Sequence, residues 1–128
     1  MTDEELYRRA VEVSERAYAP YSNYLVGAVA LARDGRVFEG VNVENAAYPL
    51  GVCAERSVLS RAVVEGARPG DIEAVGITAS PCGGCRQWFT EFKIDRIVYL
   101  SPAGELVTTT PAEMLPDSFD LEEGLAGQ

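Results

Sequence analysis

Histidine is missing altogether from this chain of 128 residues. Its chemistry therefore runs without imidazole, both as a metal ligand and as the usual proton carrier near neutral pH. Cysteine is scarce too. Three residues, an odd number, cannot close a disulfide framework of the kind that staples small secreted domains. Basic residues are outnumbered 11 to 20, giving a net charge of −9, and none occurs from Ser101 to Gln128. A nucleic acid or an anionic membrane surface needs a basic face to hold it, so neither is expected as a partner. Long apolar runs are also lacking. The longest, "YLVGAVALA" (Tyr24 to Ala32), has nine residues, where a membrane span takes about 20. No signal-type apolar stretch opens "MTDEELYRRA", and the expected compartment is the cytoplasm, where thiols stay reduced.

What remains is an ordinary soluble composition, 47% apolar and 24% charged. It predicts one domain over residues 1–128, with 116–128 as an acidic C-terminal tail. Thr2 and Glu5 spell a capping box, and Leu6, Ala10, Val13 and Ala17 share one face of the helix that follows, ended by the segment around Pro20. Tyr24 to Arg33 reads as a buried strand, Asp34-Gly35 as a hairpin turn, and Arg36 to Asn42 as the returning strand. "VENAAYPLG" is a loop. A helix runs from Cys53 to Glu65, closed by Gly66. Ile72 to Ala79 is a strand, and a helix capped by Ser80 with Pro81 in its first turn runs to about Phe92. Strands at Arg96–Leu100 and Glu105–Thr109 follow, and Thr110, Pro111 and Glu113 start a last helix. The order predicts an α/β fold of three layers, α/β/α, around a five-stranded mixed sheet. The link from Leu100 to Glu105 is too short for a parallel crossover, so the last two strands should be antiparallel.

The three thiols stand at predicted helix starts: Cys53 in "GVCAERS", Cys82 and Cys85 in "SPCGGCRQWF". The i, i+3 spacing puts Cys82 and Cys85 on one face of a first turn. Helix N-termini favour thiolate over thiol, and two of them facing each other can gather three thiolates around one divalent cation. Soft sulfur donors favour zinc. With no fourth cysteine and no histidine, the fourth position falls to a carboxylate, a partner chain or water. Three protein ligands plus water is the catalytic pattern. Zinc acidifies bound water, and Glu55, two residues after Cys53, is a carboxylate placed to carry the proton. Arg56 can donate hydrogen bonds to ligand sulfurs and drain charge from them. Each feature alone has a plainer reading. A lone C-x-x-C opening a helix after a strand also describes thiol redox pairs or a structural zinc staple. Cys53 alone fits a small core residue, and Glu55 with Arg56 a solvated helix face. The conjunction of C-A-E-R with P-C-G-G-C tips the balance toward a catalytic centre.

That conjunction matches the signature of zinc nucleobase deaminases, Cys-x-Glu followed by P-C-x-x-C. With it, "YAPYSNYLVGA" (18–28), "GVNVENAAYPLGVCAER" (40–56), "SPCGGCRQ" (80–87) and "LPDSF" (115–119) closely resemble the small, all-cysteine, homotetrameric cytidine deaminases across nearly the whole chain. The resemblance implies zinc-dependent hydrolytic deamination of cytidine and 2′-deoxycytidine to uridine and deoxyuridine in pyrimidine salvage, with one zinc per chain. It also implies sites completed by neighbouring subunits of a homotetramer. It casts Cys53, Cys82 and Cys85 as ligands, Glu55 as proton shuttle and Arg56 as sulfur-bonding arginine. Tyr24, Asn42, Glu44, Ala54, Tyr48 and Phe119 become the substrate-binding set, with Asn42 and Glu44 on the ribose. Tyr24 stands where relatives usually carry phenylalanine. Phe119 matches an aromatic that reaches a neighbour's site, and Tyr48 an intersubunit position. One stretch departs: between "EAVGI" and "PCGGC" only "TAS" intervenes, where many relatives carry a longer polar loop. Deaminases of other cytosine nucleosides, such as nucleoside antibiotics, are the nearest alternative. A thiol redox protein or a zinc-stapled interaction module is the alternative of another class.

Overall fold

Thr2 starts the first helix as its sequence context dictates. The Thr2 hydroxyl accepts the Glu5 amide at 3.1 Å, and the Thr2 N–H donates to the Glu5 carboxylate at 3.2 Å. This helix, α1 (Asp3–Ser14), buries Leu6, Ala10 and Val13. It ends before Ala17, earlier than the apolar stripe predicts. Tyr18 is drawn into an extended bridge, donating its N–H to the Asn42 carbonyl at 3.1 Å and accepting from the Glu44 N–H at 2.8 Å. Pairing with a distant segment, rather than Pro20, stops the helix. The structure is a computed structural model and describes residues 1–121. Residues 122–128 of the predicted acidic tail lie outside the described residues.

Strands β1 (Gly27–Ala32) and β2 (Val37–Val41) pair antiparallel. Their turn is closed by Gly35, whose N–H reaches the Ala32 carbonyl at 3.0 Å with φ at +94°. Asp34 is not in the left-handed region. The hairpin is thus a type I turn followed by a left-handed glycine, not the two-residue form that Asp-Gly most often signals. A short 3-10 turn, Tyr48–Leu50, interrupts the predicted loop. Then follow α2 (Ala54–Val64), β3 (Ile72–Ile77), α3 (Gly83–Glu91), β4 (Arg96–Leu100), β5 (Leu106–Thr109) and α4 (Pro111–Met114).

The sheet runs β2-β1-β3-β4-β5. Only β3 and β4 are parallel, joined by α3; β1 pairs antiparallel with β3, and β4 with β5. The tight turn closed by Gly104 N–H on the Ser101 carbonyl, 2.9 Å, leaves β5 no route but antiparallel return. Strand alternation sorts side chains between the two faces. Val29, Ala74 and Val98 meet Leu6, Ala10 and Val13 of α1. Ala28, Ala30, Val75, Ile77 and Ile97 meet Val58, Leu59 and Ala62 of α2 and Cys85 and Phe89 of α3. The helices on that second face bring their N-termini together at one end of the sheet.

Candidate active site

Both helix starts are built on cysteine. Cys53 is the residue preceding α2, extended at φ −71° and ψ 153°, and its side chain caps nothing. Its sulfur is therefore free for another partner. Cys82 caps α3: its Sγ accepts the Cys85 amide at 3.4 Å. This corrects the predicted cap at Ser80. Sulfur at Cys82 fills the role expected of the serine hydroxyl, while Pro81 is buried ahead of the helix and its carbonyl accepts from Arg86 Nε at 3.0 Å. Arg86 Nη1 also donates to the Met114 carbonyl at 3.0 Å, tying the cysteine loop to α4.

The three sulfurs lie within 4.8 Å of one another, with Cys82 and Cys85 at 3.4 Å. Tetrahedral zinc–thiolate bonds of about 2.3 Å imply sulfurs roughly 3.8 Å apart, so the cluster has the right size. Without a cation, burial disfavours the thiolate at two of the three positions, pushing the Cys53 and Cys85 thiols up. Burial also opposes ionisation of Cys82, but the Cys85 amide, the neighbouring thiols and the Arg56 charge outweigh it and hold that thiol below its ordinary value. Arg56 Nη2 lies 3.9 Å from Cys82 Sγ, and Arg56 Nε is buried with no hydrogen-bond partner. A guanidinium left partly unpaired against three sulfurs is consistent with a site whose thiolates carry negative charge. Gly84 makes this approach possible, because a Cβ there would overlap Arg56 Nη2. The sequence showed "GG" but not which glycine mattered; a Cβ at Gly83 would meet nothing within 4 Å.

Glu55, in the first turn of α2, is 5% exposed, and burial holds its carboxyl above the usual carboxylate range. It opens on a cleft of about 350 Å³. That cleft brings together Tyr24, Asn42, Glu44, Tyr48, Cys53, Ala54, Glu55 and Cys82, nearly the whole predicted set. Val26, Ala79 and Ser80 also line it; the sequence marked the first two only as strand residues and Ser80 only as a helix cap. Asn42 is fixed from both sides: Oδ1 accepts the Val26 amide and Nδ2 donates to the Tyr24 carbonyl, each at 2.9 Å. Tyr48, 75% exposed, meets Tyr21 edge-on with ring centroids 6.4 Å apart. Phe119 stands apart from its own cleft. It is 69% exposed and borders Thr90, Glu91 and Lys93 at the far end of α3, its carbonyl accepting from Gln87 Nε2 at 2.7 Å. Two larger hollows, along β2 and between α2 and α3, contain no thiol. Donor chemistry, not size, picks out the site.

The profile of the cytidine and deoxycytidylate deaminase zinc-binding region matches residues 1–101. The chain belongs to this deaminase family. The cytidine deaminase of Halalkalibacterium halodurans is 41% identical over 126 residues, 92% of this chain and 94% of that protein. The crystal structure of cytidine deaminase from Burkholderia pseudomallei superposes with a TM-score of 0.86 at 41% identity, covering 93% of this chain and all of that one. That from Mycobacterium tuberculosis gives 0.80 at 33% identity, covering 94% and 98%. The deaminase family's zinc-binding region and the three converging sulfurs agree on a cofactor of one zinc ion per chain.

Proposed function

We propose that this deaminase converts cytidine and 2′-deoxycytidine into uridine and 2′-deoxyuridine, releasing ammonia. The observation that carries this is the meeting, in one cleft, of Glu55, two of the clustered thiols and the Asn42–Glu44 pair. Water supplies the oxygen that becomes the C4 carbonyl, and the C4–N bond to the exocyclic amine breaks. Cys53, Cys82 and Cys85 would hold the zinc, which would supply a water acidic enough to react near neutral pH. Glu55 takes one proton from the water and delivers it to ring N3, then takes the second from the hydroxyl now on C4 and gives it to the departing amine, one carboxylate serving as base and then acid. Its burial at the cleft floor keeps bulk water from competing. Arg56, beside Cys82 Sγ, moderates the charge of the thiolates. Ala54 offers a small buried wall at the first position of α2.

At the other end, Asn42 retains one donor and one acceptor site, which suits a sugar hydroxyl that both gives and takes a hydrogen bond. Tyr24 lines the same end. Glu44 and Glu55 give the cleft a negative lining, and no lysine or arginine of this chain lines it. A nucleoside therefore suits it better than a 5′-phosphorylated nucleotide.

The same proposal makes the protein a cytoplasmic homotetramer of single-domain chains acting in pyrimidine salvage. Large aromatics left uncovered support the assembly: Tyr48 at the cleft rim, and Phe119 remote from its own cleft but free to stack in a neighbour's. No helix among the described residues is long and apolar enough to cross a membrane. Assaying metal-analysed protein against cytidine, deoxycytidine, deoxycytidylate, free cytosine, adenosine and guanine tests the function, with mass in solution testing the assembly. Turnover confined to the two nucleosides, with one zinc per chain, is expected; zinc-loaded protein that leaves cytidine untouched would sink it.

A further inference from the structure

Glu44 is held more tightly than a cleft-lining glutamate needs to be for folding. Its Oε1 accepts the amides of Tyr21 at 3.0 Å and Ser22 at 3.1 Å, and its Oε2 accepts the Ser22 hydroxyl. A carboxylate has about four acceptor sites, so Oε1 is saturated and Oε2 keeps one. The Ser22 oxygen in turn accepts the Tyr24 amide at 3.0 Å, while the Tyr24 carbonyl accepts from Asn42. Between them Asn23 sits at φ +58°, a left-handed conformation that asparagine tolerates better than most side chains. One network thus links the turn at 21–24, through the Tyr24 backbone, to the Asn42 and Glu44 side chains proposed at the sugar end. Ser22 does not line the main cleft. It borders a side hollow with Asn45, and Glu44, Tyr48 and Gly51 line both spaces.

We infer that Ser22 is a positioning residue for sugar recognition, immobilising Glu44 so that a single acceptor site faces one sugar hydroxyl. This rests on the nucleoside-deaminase function proposed above. Glutamate loses its rotamer freedom on folding rather than on substrate binding, so the loss does not weaken affinity. The Ser22 hydroxyl is also the largest influence holding Glu44 below the usual carboxylate range, which keeps it an acceptor.

The test uses zinc-loaded full-length enzyme with cytidine and with 2′,3′-dideoxycytidine, which lacks both ring hydroxyls. Ser22→Ala should raise KM for cytidine about tenfold while kcat stays within about threefold, the size of one lost hydrogen bond to a charged group. KM for the dideoxynucleoside should barely move, Ser22→Thr should restore the cytidine value, and Ser22→Ala should add nothing in a Glu44→Gln background. Equal KM penalties for both nucleosides, an undiminished penalty in the Glu44→Gln background, or no change at all would overturn the role of Ser22. Failure of the wild-type enzyme to deaminate cytidine would overturn the function itself, and the role of Ser22 with it.

Discussion

Replacing Gly84 by alanine adds one methyl group at the second position of α3. The backbone there is not in the left-handed region, so the change relieves or creates no conformational strain. What the methyl meets is the tip of Arg56: it overlaps Nη2 and comes within 3.3 Å of Cζ, whereas Cys82 Sγ is at an ordinary 3.9 Å. A flexible side-chain end can withdraw, so the helix survives, and the gain from restricting the unfolded chain, about 0.4–1 kcal/mol, is retained. The Nη2 that withdraws is the atom 3.9 Å from Cys82 Sγ. Losing such a partner behind a metal ligand costs about 10–100-fold in metal affinity or activity. Gly83→Ala is the matched control, since its methyl meets nothing within 4 Å. With zinc removed, we expect both variants to melt no lower than wild type. Zinc competition against a chromophoric chelator and kcat at saturating cytidine should single out Gly84→Ala. Indistinguishable zinc affinity and turnover in the two variants would refute the role of the Arg56 contact.

Glu55→Gln should keep the fold and the zinc but lose about 10²–10⁴-fold in kcat, because the shuttle can no longer accept a proton; near-normal turnover would remove Glu55 from the chemistry. Phe119→Ala should raise KM for cytidine about tenfold, the scale of one base–aromatic stack, with zinc content unchanged, and an unaltered KM would argue against a ring shared between subunits. Chelation should abolish turnover and expose thiols that were inert to a disulfide reagent. Cys82, exposed, should react first and Cys85, buried, last; equal reactivity with and without zinc would place the thiols outside the metal site.

Much of this architecture was legible because local signals agreed with tertiary demand. The Thr2–Glu5 box, the Thr110 cap on the Glu113 amide, and the short turn before β5 all act within a few residues. Departures arose where long-range pairing intervened. α1 stops short because Tyr18 bonds to residues 42 and 44. β1 begins at Gly27 rather than Tyr24, as residues 24–26 turn to serve the cleft, Val26 bonding to the Asn42 side chain. At α3 a serine signal was displaced by a sulfur, which caps helices too rarely to be expected. That three thiols and Glu55 would belong to one site was readable from spacing and kinship, and they do meet there. The packing of Gly84 against Arg56 and the hold of Ser22 on Glu44 were not. Their significance lies in contacts between segments, and a glycine or a serine in a turn has many commoner uses.

The ligand sulfurs are separated along the chain by the whole of α2 and β3. They converge only after α2 has settled on β1 and β2 and β3 has taken its place between β1 and β4. A nascent or half-assembled chain therefore presents an ion with at most a pair of donors. Because only the completed core offers the ion all three donors together, binding biases the folding equilibrium toward that core. The metal thus doubles as an inspection stamp, held tightest by chains whose central strand has been correctly inserted.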